Sequence, residues 1–256
     1  MPPSKKARTS KSSSPSSVPD YASPEYWSSR YNSGDTHEWY FSYASLSPLL
    51  SPLLPAESKG AVDVLELGCG PRPLLPAMHA DAPGLNLLAT DISPACLSAL
   101  PALPGLTYRA LDASKLPFPD SSVPLVLEKG TLDAVISHPT LGPSLAGRIL
   151  AEMARVSSRY LVVVSHVDLN TEVGEDWMRD VFAPALVEGD KDPLVHFKVR
   201  AHLAAAEEDG EDEEDGGGEG SPGVYVVEKL RRKETRALKK RPPEGLERVD
   251  VEVLEH

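Results

Sequence analysis

The stretch Val62-Asp63-Val64-Leu65-Glu66-Leu67-Gly68-Cys69-Gly70 decides the fold. After Asp63, an apolar run ends in a carboxylate, Glu66, one more apolar residue and a Gly-x-Gly. Neighbouring side chains of a strand point to opposite faces, so such a run suits a parallel strand covered on both sides. Gly68 and Gly70 then mark a backbone that turns sharply and lets a ligand come close. In open α/β sheets ligands lie beyond the carboxyl ends of the strands, so this turn is the candidate site. An ordinary strand-turn with convenient glycines has the same appearance, and a short glycine motif settles nothing alone.

Downstream, the pattern repeats. Leu85 to Ala89 is a second apolar run, and Thr90-Asp91 follows it. Asp91 comes about 20 residues after the glycine turn, where a carboxylate can accept from ribose hydroxyls. Helix capping is the other use for such a residue, but Ser93, just before Pro94, can cap instead. Leu106 to Leu111 reads as a third strand and ends at Asp112-Ala113, where a turn-stabilising aspartate is the plain alternative. Val123 to Leu127 is a fourth, followed by Glu128-Lys129-Gly130-Thr131-Leu132-Asp133. Leu145, Ile149, Leu150, Met153 and Ala154 recur at helical spacing before a fifth strand, Tyr160 to Val164. Alternating strands and helices predict a parallel sheet with right-handed crossovers. Pro71, Pro73 and Pro76 allow only a short, late helix after the first strand, ending near Ala82-Pro83-Gly84. His196 to Leu203 and Gly223 to Leu230 read as an antiparallel hairpin at the sheet edge.

Upstream, Tyr26, Trp27, Tyr31, Trp39, Tyr40, Phe41 and Tyr43 crowd one segment of a chain that is only 6% aromatic. They either staple an N-terminal helix to the core or form a lid over a flat or cationic ligand.

The chain has 256 residues and is 41% apolar, enough for a sizeable core. No apolar run approaches the ~18 residues of a membrane helix; Pro48 and Pro52 interrupt Leu46 to Leu54. No signal-peptide pattern is read at the start. Two cysteines make no disulfide framework, so a reducing, cytoplasmic setting is expected. Lys5, Lys6 and Arg8 in the Ser/Pro tail of residues 1–20 leave a nuclear or mitochondrial address as alternatives. The formal charge of −12 falls to −3 once nine acidic residues between Glu207 and Glu219 are set aside. That insert, residues 206–222, is expected to be a disordered loop, since like charges repel. Residues 233–256 read as a charged tail, the final Leu254-Glu255-His256 as a vector remnant, and 21–232 as the folded domain. His79, His138, His166 and His196 lack metal-ligand spacing, so no metal is expected. A monomer away from membranes is the expected state.

Four segments resemble one family: Glu25-Tyr26-Trp27-Ser28-Ser29-Arg30-Tyr31, Glu38-Trp39-Tyr40, Leu67-Gly68-Cys69-Gly70 and, most specifically, Leu127-Glu128-Lys129-Gly130-Thr131-Leu132-Asp133-Ala134. It is the methyltransferase-like family that contains the elongation factor 1-alpha lysine methyltransferases and the citrate synthase lysine methyltransferase. The resemblance runs through residues 21–165, with a weaker echo to 232. It implies an α/β, seven-stranded Rossmann-like class I methyltransferase, mostly parallel, with the late hairpin as strands six and seven. S-adenosylmethionine is the implied cofactor. The resemblance sets Gly68 and Gly70 in the cofactor turn, with Gly68 against the methionine part. Asp91 takes the ribose hydroxyls, Ile92 lies beside the adenine, and Asp112 and Ala113 flank it. Trp27, Tyr31 and Trp39 close over the cofactor, and Lys129 contacts it after the fourth strand. The implied substrate is a protein lysine, of an elongation-factor-like protein. Alternatives are a small-molecule or protein N-terminal methyltransferase, or a non-catalytic cofactor-binding module.

Glu128 and Asp133 are the carboxylates nearest the expected transfer point, and either can hold a lysine ammonium; for Asp133 a capping role competes. Where the family continues the glycine turn with Asn-Ser, this chain has Pro71-Arg72-Pro73. The prolines remove amide donors, so Arg72 is expected to meet the cofactor's carboxylate. An Asn-Pro-Pro-Tyr motif is missing after the fourth strand, and the folded part has no basic stripe. Both features argue against a nucleic-acid substrate.

Overall fold

A computed structural model describes residues 20–138, 140–203, 222–231 and 248–255. The N-terminal tail, nearly all of the acidic insert and residues 232–247 lie outside the described residues. Eight strands form one sheet: β1 Val64–Leu67, β2 Leu87–Asp91, β3 Leu106–Ala110, β4 Val123–Lys129, β5 Ser157–Ser165, β6 Val195–Leu203, β7 Gly223–Arg231 and β8 Val249–Glu255. Their order is β3-β2-β1-β4-β5-β7-β6-β8. The first five are parallel, and β7 runs antiparallel to both β5 and β6. From β1 the chain first builds outward to β2 and β3, then returns to lay β4 on β1's other side. That reversal opens a crevice at the carboxyl ends of β1 and β4, where Leu67 pairs with Glu128.

The helices are α1 Pro24–Asn32, α2 Tyr43–Leu50, α3 Leu75–Asp81, α4 Pro94–Ser98, α5 Thr131–Ile136, α6 Gly142–Val156, α7 Glu172–Trp177 and α8 Ala183–Gly189. They cover both faces of the sheet. Leu65, Leu67 and Val126 pack with α6 residues Leu150 and Met153 and with Phe182. Val64, Leu125 and Leu127 face the other way, onto Leu46, Leu50, Leu75 and Met78 of α2 and α3. All four residues of β1 are buried, as a strand sandwiched between two helical layers must be. The proline run delays α3 to Leu75, as its missing amides and fixed φ require.

Two expectations are corrected. The sheet has eight strands, because part of the supposed C-terminal tail pairs with β6, and Leu254 and Glu255 lie in that strand. The hairpin is therefore not the edge: β7 enters between β5 and β6, and β8 lies outermost. The register of β8 has a visible cause. Its acids meet the bases of β6, with His196 2.5 Å from Asp250 and Lys198 2.9 Å from Glu252. Each such pair contributes little at a surface, but together they favour one register on a strand whose valines alternate with acids.

Candidate active site

The turn after β1 is built from left-handed backbone. Gly68 has φ +57° and Gly70 φ +56°, a region that L-residues with a Cβ avoid. Gly68 is also tightly enclosed: a Cβ there would fall 2.0 Å from Thr131 Oγ1. Thr131 Oγ1 itself donates to the Leu67 carbonyl at 3.2 Å, so the first turn of α5 rests on the glycine turn. Asp91, at the end of β2, accepts from Gly70 N–H at 3.0 Å and Ser93 N–H at 2.8 Å. These bonds orient its carboxylate at the cavity wall. Burial raises its pKa, and the amides partly oppose that. Ser93 does stand at the N-cap of α4, but its hydroxyl makes no capping bond and meets Ser28 Oγ at 3.1 Å instead.

These elements line an open cleft whose empty space, with the solvent at its mouth included, is about 960 Å³. Gly68, Gly70, Asp91, Ile92, Asp112, Ala113 and Lys129 line it, and Trp27, Tyr31 and Trp39 line it from the N-terminal segment. All the cofactor-side residues singled out in the sequence thus meet in one place. Leu111, Val135, Leu145 and Ile149 add apolar surface. A glycine neck, an oriented carboxylate for a diol and an apolar slot for a flat ring fit a nucleoside with a charged tail.

The aromatic wall is itself assembled from ring contacts. Trp27 stacks on Tyr31 at 5.7 Å between centroids and meets Trp39 edge-on at 6.5 Å. The Arg30 guanidinium lies 5.6 Å from the Trp27 ring and 5.8 Å from that of Trp39. Trp27 Nε1 donates to the Tyr21 carbonyl at 2.7 Å. Lys129 Nζ donates to the Trp39 carbonyl at 2.7 Å, so the lysine fastens this wall as well as lining the cavity. Burial lowers its pKa, against the pull of Glu66 and Glu38.

The two candidate catalytic carboxylates are placed differently. Neither Glu128 nor Asp133 lines the cavity. Glu128 is fully buried; its Oε2 accepts from the N–H groups of Thr131 and Leu132 at 2.8 and 3.1 Å, capping α5, while among the described residues Oε1 meets no hydrogen-bond donor. Burial first, and then nearby Asp133, push its pKa up to about 8. Asp133 accepts from Ser165 Oγ at 2.6 Å, Tyr40 Oη at 2.8 Å and His166 N–H at 3.1 Å. Arg72 reaches the cavity rim and is exposed, with Nε donating to the Thr36 carbonyl at 3.2 Å.

Three contributors were not assigned from the sequence. Glu66 lines the cavity and accepts from Leu74 N–H at 2.8 Å and Leu75 N–H at 3.2 Å, tying the start of α3 to β1. Burial pushes its pKa up to about 7 against those amides and Lys129. A lone carboxylate in an apolar strand was the available signal. Thr131 and Tyr40 stand in the motif and the aromatic cluster read from the sequence, but their roles depend on Gly68 and Asp133, distant in sequence.

Residues 65–160 match the methyltransferase domain family. Fold, site and match together place the chain among the Rossmann-like methyltransferases, whose cofactor is S-adenosylmethionine. Within that class its relatives are protein-lysine methyltransferases, the family its motifs resemble. It is 31% identical over 160 residues to the eEF1A lysine and N-terminal methyltransferase of Xenopus laevis, covering 58% of this chain and 22% of that one. It is 33% identical over 135 residues to EEF1A lysine methyltransferase 4 of Mus musculus, covering 48% and 51%. With the mitochondrial citrate synthase-lysine N-methyltransferase of Danio rerio it shares 31% over 137 residues, covering 46% and 54%. The matches thus span about half or less of these relatives' lengths. The magnesium protoporphyrin IX methyltransferase of Synechocystis, solved with S-adenosylmethionine bound, superposes with a TM-score of 0.50 over 86% of this chain and all of its own, at 15% identity. That likeness is one of fold.

Proposed function

We propose that this protein methylates a lysine side chain of a protein substrate of the elongation factor 1-alpha kind, in the cytoplasm. The observation that carries the methyltransferase reading is the convergence of Gly68, Asp91, Asp112 and the aromatic wall on one cavity. Bound there, S-adenosylmethionine supplies an electrophilic methyl on a sulfonium. In this reading Asp91 takes the ribose hydroxyls, Ile92, Asp112 and Ala113 hold the adenine, and the turn at Gly68 admits the methionine part. Arg72 meets its carboxylate with the guanidinium nitrogens not spent on Thr36. Trp27, Tyr31 and Trp39 exclude water from the far side.

A free lysine with a pKa near ~10.4 is neutral in roughly one of ~2,500 molecules at pH 7, a cost of about 4–5 kcal/mol. A cationic neighbour and an apolar, aromatic enclosure favour the neutral amine, and positioning lowers the barrier further. No dedicated general base is required. The lysine reading is supported by the names of the relatives, several of which also name N-terminal methylation. A protein α-amino group is therefore the second reading.

The test begins with calorimetric titration of S-adenosylmethionine into the purified chain. Labelled-methyl transfer into cell lysate and mass-spectrometric mapping follow. A single labelled band of elongation-factor size, with the label on a lysine, supports the reading. Label on an N-terminus would favour the second. Binding without any transfer would overturn both in favour of a cofactor-binding module.

A further inference from the structure

No fully buried side chain anchors the aromatic wall. α1 contains no buried residue, and residues 33–42, which carry Trp39, form no helix or strand. The chain regains a buried anchor only at Tyr43, the start of α2. Between these points Arg72 Nε ties the Thr36 carbonyl to the glycine turn, and two further bonds tie the segment to the end of β4 and to α5. Lys129 Nζ donates to the Trp39 carbonyl, and Tyr40 Oη donates to Asp133 Oδ2. Tyr40 adopts φ +59°, one of two described non-glycine residues with positive φ, and such strain persists only where surroundings enforce it. Its ring lies edge-on to His166 at 4.5 Å and would come within 3.1 Å of a Cβ on Gly130. Asp133 is held in turn by Ser165 Oγ and the His166 amide.

We propose that Tyr40 and Asp133 are positioning residues: their hydrogen bond latches the aromatic wall closed over the cofactor cavity, and neither touches the reacting atoms. This rests on the cofactor reading above. A ligand that needs the closed wall binds with an apparent Kd raised by the inverse of the closed fraction. Tyr40→Phe deletes one hydrogen bond to a carboxylate and keeps the ring. At the low end for such bonds it lowers the closed-to-open ratio about tenfold, which weakens cofactor binding several-fold and by about tenfold at most.

The test measures S-adenosylhomocysteine affinity and dissociation rate on the full chain by calorimetry and tryptophan fluorescence, with amide hydrogen exchange over residues 33–42. Expected results are binding weakened several-fold, by about tenfold at most, and faster exchange in Tyr40→Phe, with the melting temperature of the ligand-free protein lowered by no more than a few degrees. Asp133→Ala should match it, Asp133→Asn, which keeps an acceptor, should be milder, and the double variant Tyr40→Phe/Asp133→Ala no worse than Asp133→Ala. Tight binding by the parent chain that Tyr40→Phe leaves unchanged, or additive losses in the double variant, would overturn the latch alone. No binding by the parent chain would overturn the cofactor reading and the latch with it.

Discussion

The narrowest point of the site is Gly68, and its replacement by alanine is the sharpest test of how the site is built. The new Cβ would lie 2.0 Å from Thr131 Oγ1, 2.9 Å from its Cγ2 and 3.0 Å from its Cβ, on a backbone with φ +57°. A left-handed alanine costs about 1–2 kcal/mol, and forcing an atom into a packed site about 1–3 kcal/mol. Gly68→Ala should therefore lose about 2–5 kcal/mol, a large share of the ~5–15 kcal/mol that a domain commands. The two parts can be separated. Thr131→Ala removes Oγ1 and Cγ2, so it should relieve the crowding and leave the backbone cost. By itself it loses a long hydroxyl bond, about 0.5–1 kcal/mol. In urea denaturation the double variant should be about 1–2 kcal/mol more stable than Gly68→Ala. Losses that simply add, or a Gly68→Ala protein as stable as the parent, would refute the account of the glycine turn.

Three further outcomes follow from the geometry. Asp91→Ala removes the acceptor for two amides and the proposed ribose partner, and should weaken S-adenosylmethionine binding by about two orders of magnitude in calorimetry. Arg72→Ala should weaken it about tenfold and affect a decarboxylated analogue less, since in this reading the guanidinium meets the carboxylate. Glu128 and Glu66 have folded pKa values of about 8 and about 7 against 4.5 unperturbed, so the folded state holds more protons than the unfolded one between those limits. Stability should be greatest at low pH within that window and fall as pH rises from about 4.5 to 8, by at most ~1.4 kcal/mol per pH unit for each carboxyl. Glu128→Gln should flatten the upper part of that slope in denaturation midpoints measured at pH 5, 6, 7 and 8; an unaltered slope would show that Glu128 is ionised in the fold.

Much of this molecule is legible one residue after another. Strand identity follows from apolar runs, because a two-sided sheet needs both faces of β1, β2 and β4 apolar. The glycine turn follows from residues that alone tolerate left-handed backbone at low cost. The prolines after it foretell a late α3. Asp91 and Asp112 are marked by their place at strand ends, and the aromatic wall by its density. The valines of Val249 to Glu255 alternate with acids at strand spacing, so β8 had a local signal; its partner and register, on β6 about 50 residues earlier, had none.

Chemistry at the carboxylates was likewise decided in three dimensions. Glu128 and Asp133 are both carboxylates, five residues apart in one motif, yet one caps the start of α5 and the other holds Tyr40, and neither reaches the cavity. The chain itself determined which surfaces must be buried and where its backbone must turn, because those are properties of single residues and their spacing. Only the folded sheet decided which partners each buried polar group would meet, because hydrogen bonds between segments depend on distances that no sequence interval contains.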